Sequence, residues 1–363
     1  MKNIKIELPE NPYTVKTGKK VFPDLLKEIK KLKTHKNLFV IVDSNVFKIY
    51  KSQIDDLFSD YPEKCFVQKV KVTEKTKSFE TVNSLYSKLI AKQFGRDTLI
   101  IAIGGGILGD VAGFVAATYM RGIPFVQVPT TILAAVDSSV GGKTGINFDN
   151  TKNIVGAFHQ PEMVLIDTEF FNTLPEEEII CGLGEIAKYA LLTDDKFFSY
   201  INKNFEKIIS LDAAFLQKVI SVSVNYKASV VIADEKENGI RKLLNLGHTF
   251  AHAIEVEQNH KIKHGQAVVV GITCACYLAN KLGYFDDKLL EKYLSLLVKF
   301  REFIEIETFD IKKLFALMNR DKKNRDNKIK FVLPVTTGNI LIDVTASKED
   351  VIYSLENGIN LFV

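Results

Sequence analysis

The chain has 363 residues, longer than one core usually spans, so two domains are expected. Apolar residues make up 46% and charged residues 25%, as in a soluble globular protein, and the net charge of 48 − 44 = +4 is too small and too evenly spread to point to nucleic acid. The N-terminal MKNIKIELPENPY lacks the apolar region of a signal peptide, and Cys65, Cys181, Cys274 and Cys276 are not at zinc-ligand spacings, which fits free thiols in a reducing cytoplasm.

In chain order, FPDLLKEIKKLK (22–33) shows helical spacing and KNLFVIVDSN forms an apolar β-rich run that ends in Asp43. SFETVNSLYSKLIAKQF (78–94) is again helical, and DTLIIAI (97–103), PFVQVPT (124–130) and MVLIDT (163–168) read as short buried strands. Strands alternating with helices predict an α/β domain over 1–168 with a mostly parallel, Rossmann-like sheet. From FNTLPEEEII onward the periodicity is helical: 175–192, 195–209, 212–233, 247–258, 265–281, 286–300 and 310–319. Only KIKFVLPV (328–335) and NILIDV (339–344) look extended, so residues 169–363 are expected to form a mainly α-helical C-terminal domain. A small-molecule active site is expected in the cleft between two such domains.

Residues 98–120 are apolar but hold five glycines and Asp110, which argues against a lipid-spanning helix. Gly104, Gly105 and Gly106 follow a strand, with Gly109 just inside the next helix. Such a turn lets backbone N–H groups approach a phosphate at a helix N-terminus, although GGGxxGD is only related to the dinucleotide fingerprint and also suits a plain tight turn. Asp43 could hold a ribose hydroxyl or simply cap a helix. The stretch VPTTILAAVDSSVGGKTGIN (128–147), followed by NTKNIVGAFHQP, places Lys143 and Lys152 on glycine- and hydroxyl-rich loops suited to phosphate and sugar oxygens.

Four of the six histidines fall within HTFAHAIEVEQNHKIKH. His248 and His252 are four apart on one helix, and His264 opens another. Two imidazoles plus Glu185, on the apolar helix GLGEIAKYALL, make a set of three ligands for a catalytic zinc. Satisfied core histidines and a surface Glu185–Lys188 pair are the competing readings. His260 lies in a polar connector and is set aside.

Together, GGGILGDVAGFVAATYMRG, VPTTILAAVDSSVGGKTGIN, KNIVGAFHQP, GLGEIAKYALL, NLGHTFAHAIE, KHGQAVVVG and DKKNRDNKIKFVLP resemble the 3-dehydroquinate synthase family of sugar-phosphate cyclases. The resemblance implies cyclisation of 3-deoxy-D-arabino-heptulosonate 7-phosphate to 3-dehydroquinate with loss of phosphate, in the shikimate route to aromatic amino acids. NAD would be borrowed to oxidise the C5 hydroxyl and would return the hydride after elimination, for which the leaving phosphate can serve as its own base.

By the same resemblance Glu185, His248 and His264 hold Zn2+ or Co2+, and His252 touches substrate nearby. Lys143, Asn153, Lys188, Lys227, Arg241, Asn245, Lys322 and Lys323 hold a substrate with two anionic groups, and Asp137 orients Lys143 or a water. Arg121 reaches a neighbouring subunit's site, which implies a homodimer. NAD falls to Asp43, Glu74, Lys77, Gly104, Gly105, Gly106, Gly109, Asp110, Thr130, Thr131, Lys143, Lys152, Phe171, Asn172 and Thr173. Three positions depart from the family pattern: Gly184 (often alanine), Ala251 (often glycine) and Gln266 (often glutamate). Gln266 is expected to weaken a hydrogen bond to a ligating histidine. The alternatives of the same fold are metal-dependent polyol or glycerol-phosphate dehydrogenases, which release NADH and need fewer cations, and cyclases of other sugar phosphates.

Overall fold

The computed structural model describes residues 1–32, 35–149, 151–319 and 328–363. The chain divides into two compact units, residues 1–174 with 213–232, and residues 175–212 with 233–363.

The first unit is built on a seven-stranded sheet. Its strands are β1 (Lys2–Ile6), β2 (Tyr13–Gly18), β3 (Asn37–Asp43), β4 (Cys65–Val70), β5 (Thr98–Gly104), β6 (Phe125–Pro129) and β9 (Met163–Asp167), while β7 (Lys143–Phe148) and β8 (Thr151–Phe158) form a separate hairpin. The order across the sheet is β1-β2-β9-β6-β5-β3-β4, parallel except for the β1–β2 pair. Continuous apolar runs such as Leu99–Ala102 in β5 suit strands covered on both faces, and all four residues are buried. After β4 the chain returns to the other side of β3, so strand order reverses between β3 and β5. Ligands of open α/β sheets bind at such a point, beyond the carboxyl ends of the strands. Asp43 ends β3 and Gly104 ends β5, on neighbouring strands paired Val42 to Ile103.

The second unit is mainly helical. Helix His264–Lys281 packs against Glu176–Leu192, His248–Glu257 and Lys348–Ile359, and the hairpin β10 (Phe331–Thr336) to β11 (Asn339–Val344) lies beside it. From Ala267 to Cys276 every residue of His264–Lys281 is buried, because its sequence is apolar on all sides.

Four expected strands in the first half are present, as are the two extended stretches near the C-terminus. Some helices are shorter than their periodicity predicts. The 22–33 helix reduces to a 3-10 turn at Phe22–Asp24 and a helix at Leu25–Ile29, 195–209 is interrupted at Asn204, and 286–300 ends at Leu297 before a 3-10 turn. Pro23 starts the first of these well. Lys143 and Lys152, expected on loops, stand on the strands β7 and β8. Antiparallel pairing of β7 with β8 gives both segments a backbone partner. Among the described residues no helix is long and apolar enough to cross a membrane.

Candidate nucleotide cradle and metal centre

In the first unit, β5 runs into Gly105, the N-cap of helix Gly106–Thr118. The glycines let neighbouring side chains pack close to the turn. A Cβ on Gly106 would lie 2.7 Å from Ser138 Oγ, and one on Gly109 would lie 2.8 Å from Gln127 Oε1. Thr130 donates its backbone N–H to the Gly104 carbonyl (3.0 Å), and Thr131 Oγ1 accepts from Ala134 N (3.2 Å). The end of β6 is thereby fastened over the glycine turn, and the amides at the helix start offer favourable partial charge to an anion.

A polar network closes one side of this turn. Lys77 is buried, and its ammonium donates to Asp110 and to Asn153 Oδ1. Asn147 donates its backbone N–H to the Lys77 carbonyl (2.8 Å) and its side chain to Glu74 Oε1 (2.6 Å). Asn153 takes a left-handed backbone, φ 53°, with its N–H on Asn147 Oδ1 at 2.9 Å. The expected residues Glu74, Lys77, Asp110 and Asn153 therefore meet, and Lys152 sits exposed on the same hairpin. Burial pushes the Asp110 carboxyl upward, against the pull of Lys77.

Asp43 caps helix Ser44–Ile49 by accepting from Asn45 N (2.7 Å), the plainer of its two readings, while burial raises its pKa. Phe171, Asn172 and Thr173 lie in the 3-10 turn Thr168–Thr173, where Phe171 is buried and Thr173 Oγ1 shares a hydrogen bond with Tyr50 at 3.0 Å. Asp137 lies on a π-helical turn, Ala134–Ser138, a local distortion common at functional sites. Lys227, on the first unit's helix Ala213–Ala233, donates to the Asp137 carboxylate (2.8 Å) and to its carbonyl (2.7 Å). Arg121 is exposed on a strained turn, with φ 53° at Met120 and 68° at Arg121.

In the second unit, Glu185, His248 and His264 bring one ligand atom each to within 4.8 Å of one another. Glu185 is fully buried on helix Glu176–Leu192, and His248 and His264 are the first residues of their helices. Glycines permit this convergence. A Cβ on Gly265 would lie 1.8 Å from the Cys181 carbonyl, and one on Gly271 would lie 2.3 Å from the Gly247 carbonyl. Gly247, at φ 79°, turns the chain into the His248 helix.

Lys188 and Glu185 form an ion pair at 1% and 0% exposure, which removes the surface-pair reading. Burial, then Lys188 and the other two imidazoles, hold His248 well below its usual pKa, so it is neutral and able to ligate. Burial also works against charge on His264, but the carboxylates of Glu185 and Glu255 beside its ring outweigh it and raise its pKa to about 10. The His252 ring stands 5.6 Å from that of His248. One carboxylate and two imidazoles around one point fit a divalent cation with a further position open.

Arg241 is 1% exposed and donates to the Glu235 carbonyl, while Asn245 donates to Glu237 Oε1 at 2.9 Å. Lys322 and Lys323 lie outside the described residues. Gln266 does not serve a ligating histidine: its Oε1 accepts from Lys263 N (2.9 Å) and its Nε2 donates to the Phe303 carbonyl, closing the N-terminus of its own helix. The carboxylate beside His264 is Glu255, which the sequence reading passed over. Its place seven residues after His248 and three after His252, on the same helix face, was the available signal.

The descriptions "3-dehydroquinate synthase N-terminal" and "3-dehydroquinate synthase C-terminal" match residues 67–181 and 182–324. The chain is 40% identical over 343 residues to a 3-dehydroquinate synthase of Alkaliphilus metalliredigens (strain QYMF), covering 94% of each. It is 40% identical over 357 residues to that of Caldanaerobacter subterraneus subsp. tengcongensis (strain DSM 15242 / JCM 11007 / NBRC 100824 / MB4), covering 98% of this chain and all of the relative. Among solved structures, 2-deoxy-scyllo-inosose synthase complexed with carbaglucose-6-phosphate, NAD+ and Co2+ superposes with a TM-score of 0.87 at 25% identity, over 98% of this chain and 100% of that one.

Proposed function

The chain belongs to the 3-dehydroquinate synthase family, and we propose that it closes 3-deoxy-D-arabino-heptulosonate 7-phosphate into 3-dehydroquinate with release of phosphate. The observation that carries the reading is the meeting of Glu185, His248 and His264, alongside 40% identity to a synthase over 94% of the chain. NAD and a divalent cation, Zn2+ or Co2+, complete the enzyme. Bound NAD would supply the acceptor and donor for the C5 hydride, and a divalent cation, which Glu185, His248 and His264 would hold, would favour ionisation of the C5 hydroxyl.

The protein's own groups bind and orient. Lys188 offsets the buried charge of Glu185 as its ion-pair partner. Lys143, Asn153, Lys227, Arg241, Asn245, Lys322 and Lys323 hold the substrate's carboxylate and phosphate, which fixes a flexible chain in a geometry ready to close. Asp137 keeps the Lys227 ammonium in place by accepting from it at two atoms. His252, next to His248, contacts substrate and handles a proton there. The glycine turn Gly104–Gly106 with Gly109, Asp110, Thr130 and Thr131 cradles the NAD phosphates. Asp43, Glu74, Lys77, Lys143, Lys152 and Phe171–Thr173 contact the rest of the cofactor. By the family resemblance Arg121, which is exposed, reaches the partner's site in a homodimer, and the cytoplasm is the place of action.

Incubation of the purified chain with the heptulosonate phosphate, catalytic NAD and zinc tests this reading. The expected result is equal release of phosphate and dehydroquinate with no lasting NADH absorbance. Net accumulation of NADH from a polyol would move the chain to the dehydrogenases instead.

A further inference from the structure

Both imidazoles of the metal centre turn Nε2 toward Glu185. His248 Nε2 lies 3.6 Å and His264 Nε2 lies 3.3 Å from Glu185 Oε1. Their Nδ1 atoms face different partners. That of His248 lies 3.2 Å from the Leu246 carbonyl, two residues earlier in its own chain. That of His264 lies 3.6 Å from Oε1 of Glu255, on helix His248–Glu257.

An imidazole that binds a cation through Nε2 carries its proton on Nδ1, so the acceptor facing Nδ1 sets both tautomer and ring angle. The two rings differ in how firmly packing holds them. The His248 side chain is 12% exposed and that of His264 is 33% exposed. The more open ring is the one given a carboxylate, and Glu255 is itself only 6% exposed. Charge points the same way. Lys188 offsets the negative charge of Glu185, leaving two neutral imidazoles to face a dication, and Glu255 returns one negative charge through His264.

We infer that Glu255 is a positioning residue for metal capture, holding His264 Nδ1–H so that Nε2 meets the site shared with Glu185 and His248. The inference rests on the metal reading above and adds a residue to it.

The test strips the full-length chain of metal and titrates zinc against a chromophoric chelator. Glu255→Ala weakens zinc binding about 10- to 100-fold, and Glu255→Gln, which keeps an acceptor oxygen without its charge, gives a smaller but resolved loss. NAD titration and the unfolding midpoint of the metal-free protein are measured beside it. A purely structural role would lower the midpoint and leave the zinc Kd of folded protein unchanged, and that result overturns the inference. Should Glu255→Ala not fold, Glu255→Gln decides, and a wild-type zinc Kd in that variant overturns it equally. Failure of the unaltered chain to bind zinc sinks the metal assignment itself, whereas tight wild-type binding with indifferent variants removes only Glu255.

Discussion

His264 Nε2 stands 3.3 Å from Glu185 Oε1, although the two residues belong to different helices. Each is the other's nearest reason for being there: a buried carboxylate needs a cation or a donor, and an imidazole at a helix start needs something to face. Removing the ring should therefore remove the metal and leave the nucleotide cradle intact. His264→Ala is expected to weaken zinc binding by more than the roughly 100-fold upper figure for losing an outer partner, and to abolish turnover. NAD affinity, measured by titration calorimetry, should stay within about twofold, a few tenths of a kcal/mol. Full activity after chelation in this variant would discard the metal centre.

Metal affinity should also depend on pH in a particular window. His264, opposed by burial but flanked by the carboxylates of Glu185 and Glu255, holds its proton up to about pH 10, whereas His248 is already neutral at ordinary pH. Metal must displace the His264 proton. Apparent zinc or cobalt affinity is therefore expected to climb about tenfold per pH unit from roughly pH 7 to 9, after correction for the chelator. The metal-free protein should show the matching sign. Its folded pKa is raised, so this histidine's contribution to stability is complete below the usual 6.5 and is lost as pH rises through about 10. A flat affinity above pH 7.5 would mean that His264 titrates as an ordinary histidine.

Gly265 is where two helices of the metal centre touch. A Cβ there would sit 1.8 Å from the Cys181 carbonyl, a backbone atom that cannot swing aside. Gly265→Ala should force the Glu185 and His264 helices apart, lowering stability by about 1–3 kcal/mol and weakening zinc binding with it. Denaturant unfolding of the metal-free protein and chelator competition on the same sample check both halves. Wild-type values in both would show that the helices can separate freely.

Much of this arrangement was legible in the residues. The parallel sheet followed from apolar runs at β3, β5, β6 and β9, and the meeting of Glu185, His248 and His264 from two histidine-bearing helix starts and one glutamate in an apolar helix. The half-exposed strand β4 and the hairpin β7–β8 were not, because CFVQKV and TKNIVGAF show no clean alternation and one strand's polarity depends on what covers it. The grouping of Ala213–Ile232 with the first unit is equally hidden, since a mostly apolar helix does not say against which neighbour it packs. Glu255 was missed because a glutamate near a helix end reads as solvated until its neighbours are known. Lys77 was named through the family resemblance alone, and its burial, in a segment of alternating lysines, only the fold reveals.

Lys77 ties the helix start at Asp110 to Asn153 on β8, so its loss should be felt by the nucleotide cradle first. Lys77→Met keeps the length and removes the charge, leaving the Asp110 carboxylate and the Asn153 oxygen without that donor. Breaking a buried pair costs about 3–5 kcal/mol, and the 22% exposure of the Asp110 side chain places the expected loss at or below the lower figure. Burial already raises the Asp110 pKa, and removing the opposing lysine raises it further. A carboxyl with a raised folded pKa favours the folded state below its unfolded value and loses that contribution as pH climbs through the folded one. The stability deficit of Lys77→Met against the unaltered chain should therefore be larger at about pH 8 than at about pH 5. NAD affinity should fall by about tenfold, equivalent to about 1.4 kcal/mol, while zinc binding to Glu185, His248 and His264 is unchanged. A variant with unaltered NAD affinity and a deficit independent of pH would show that Lys77 neither neutralises Asp110 nor shapes the cradle.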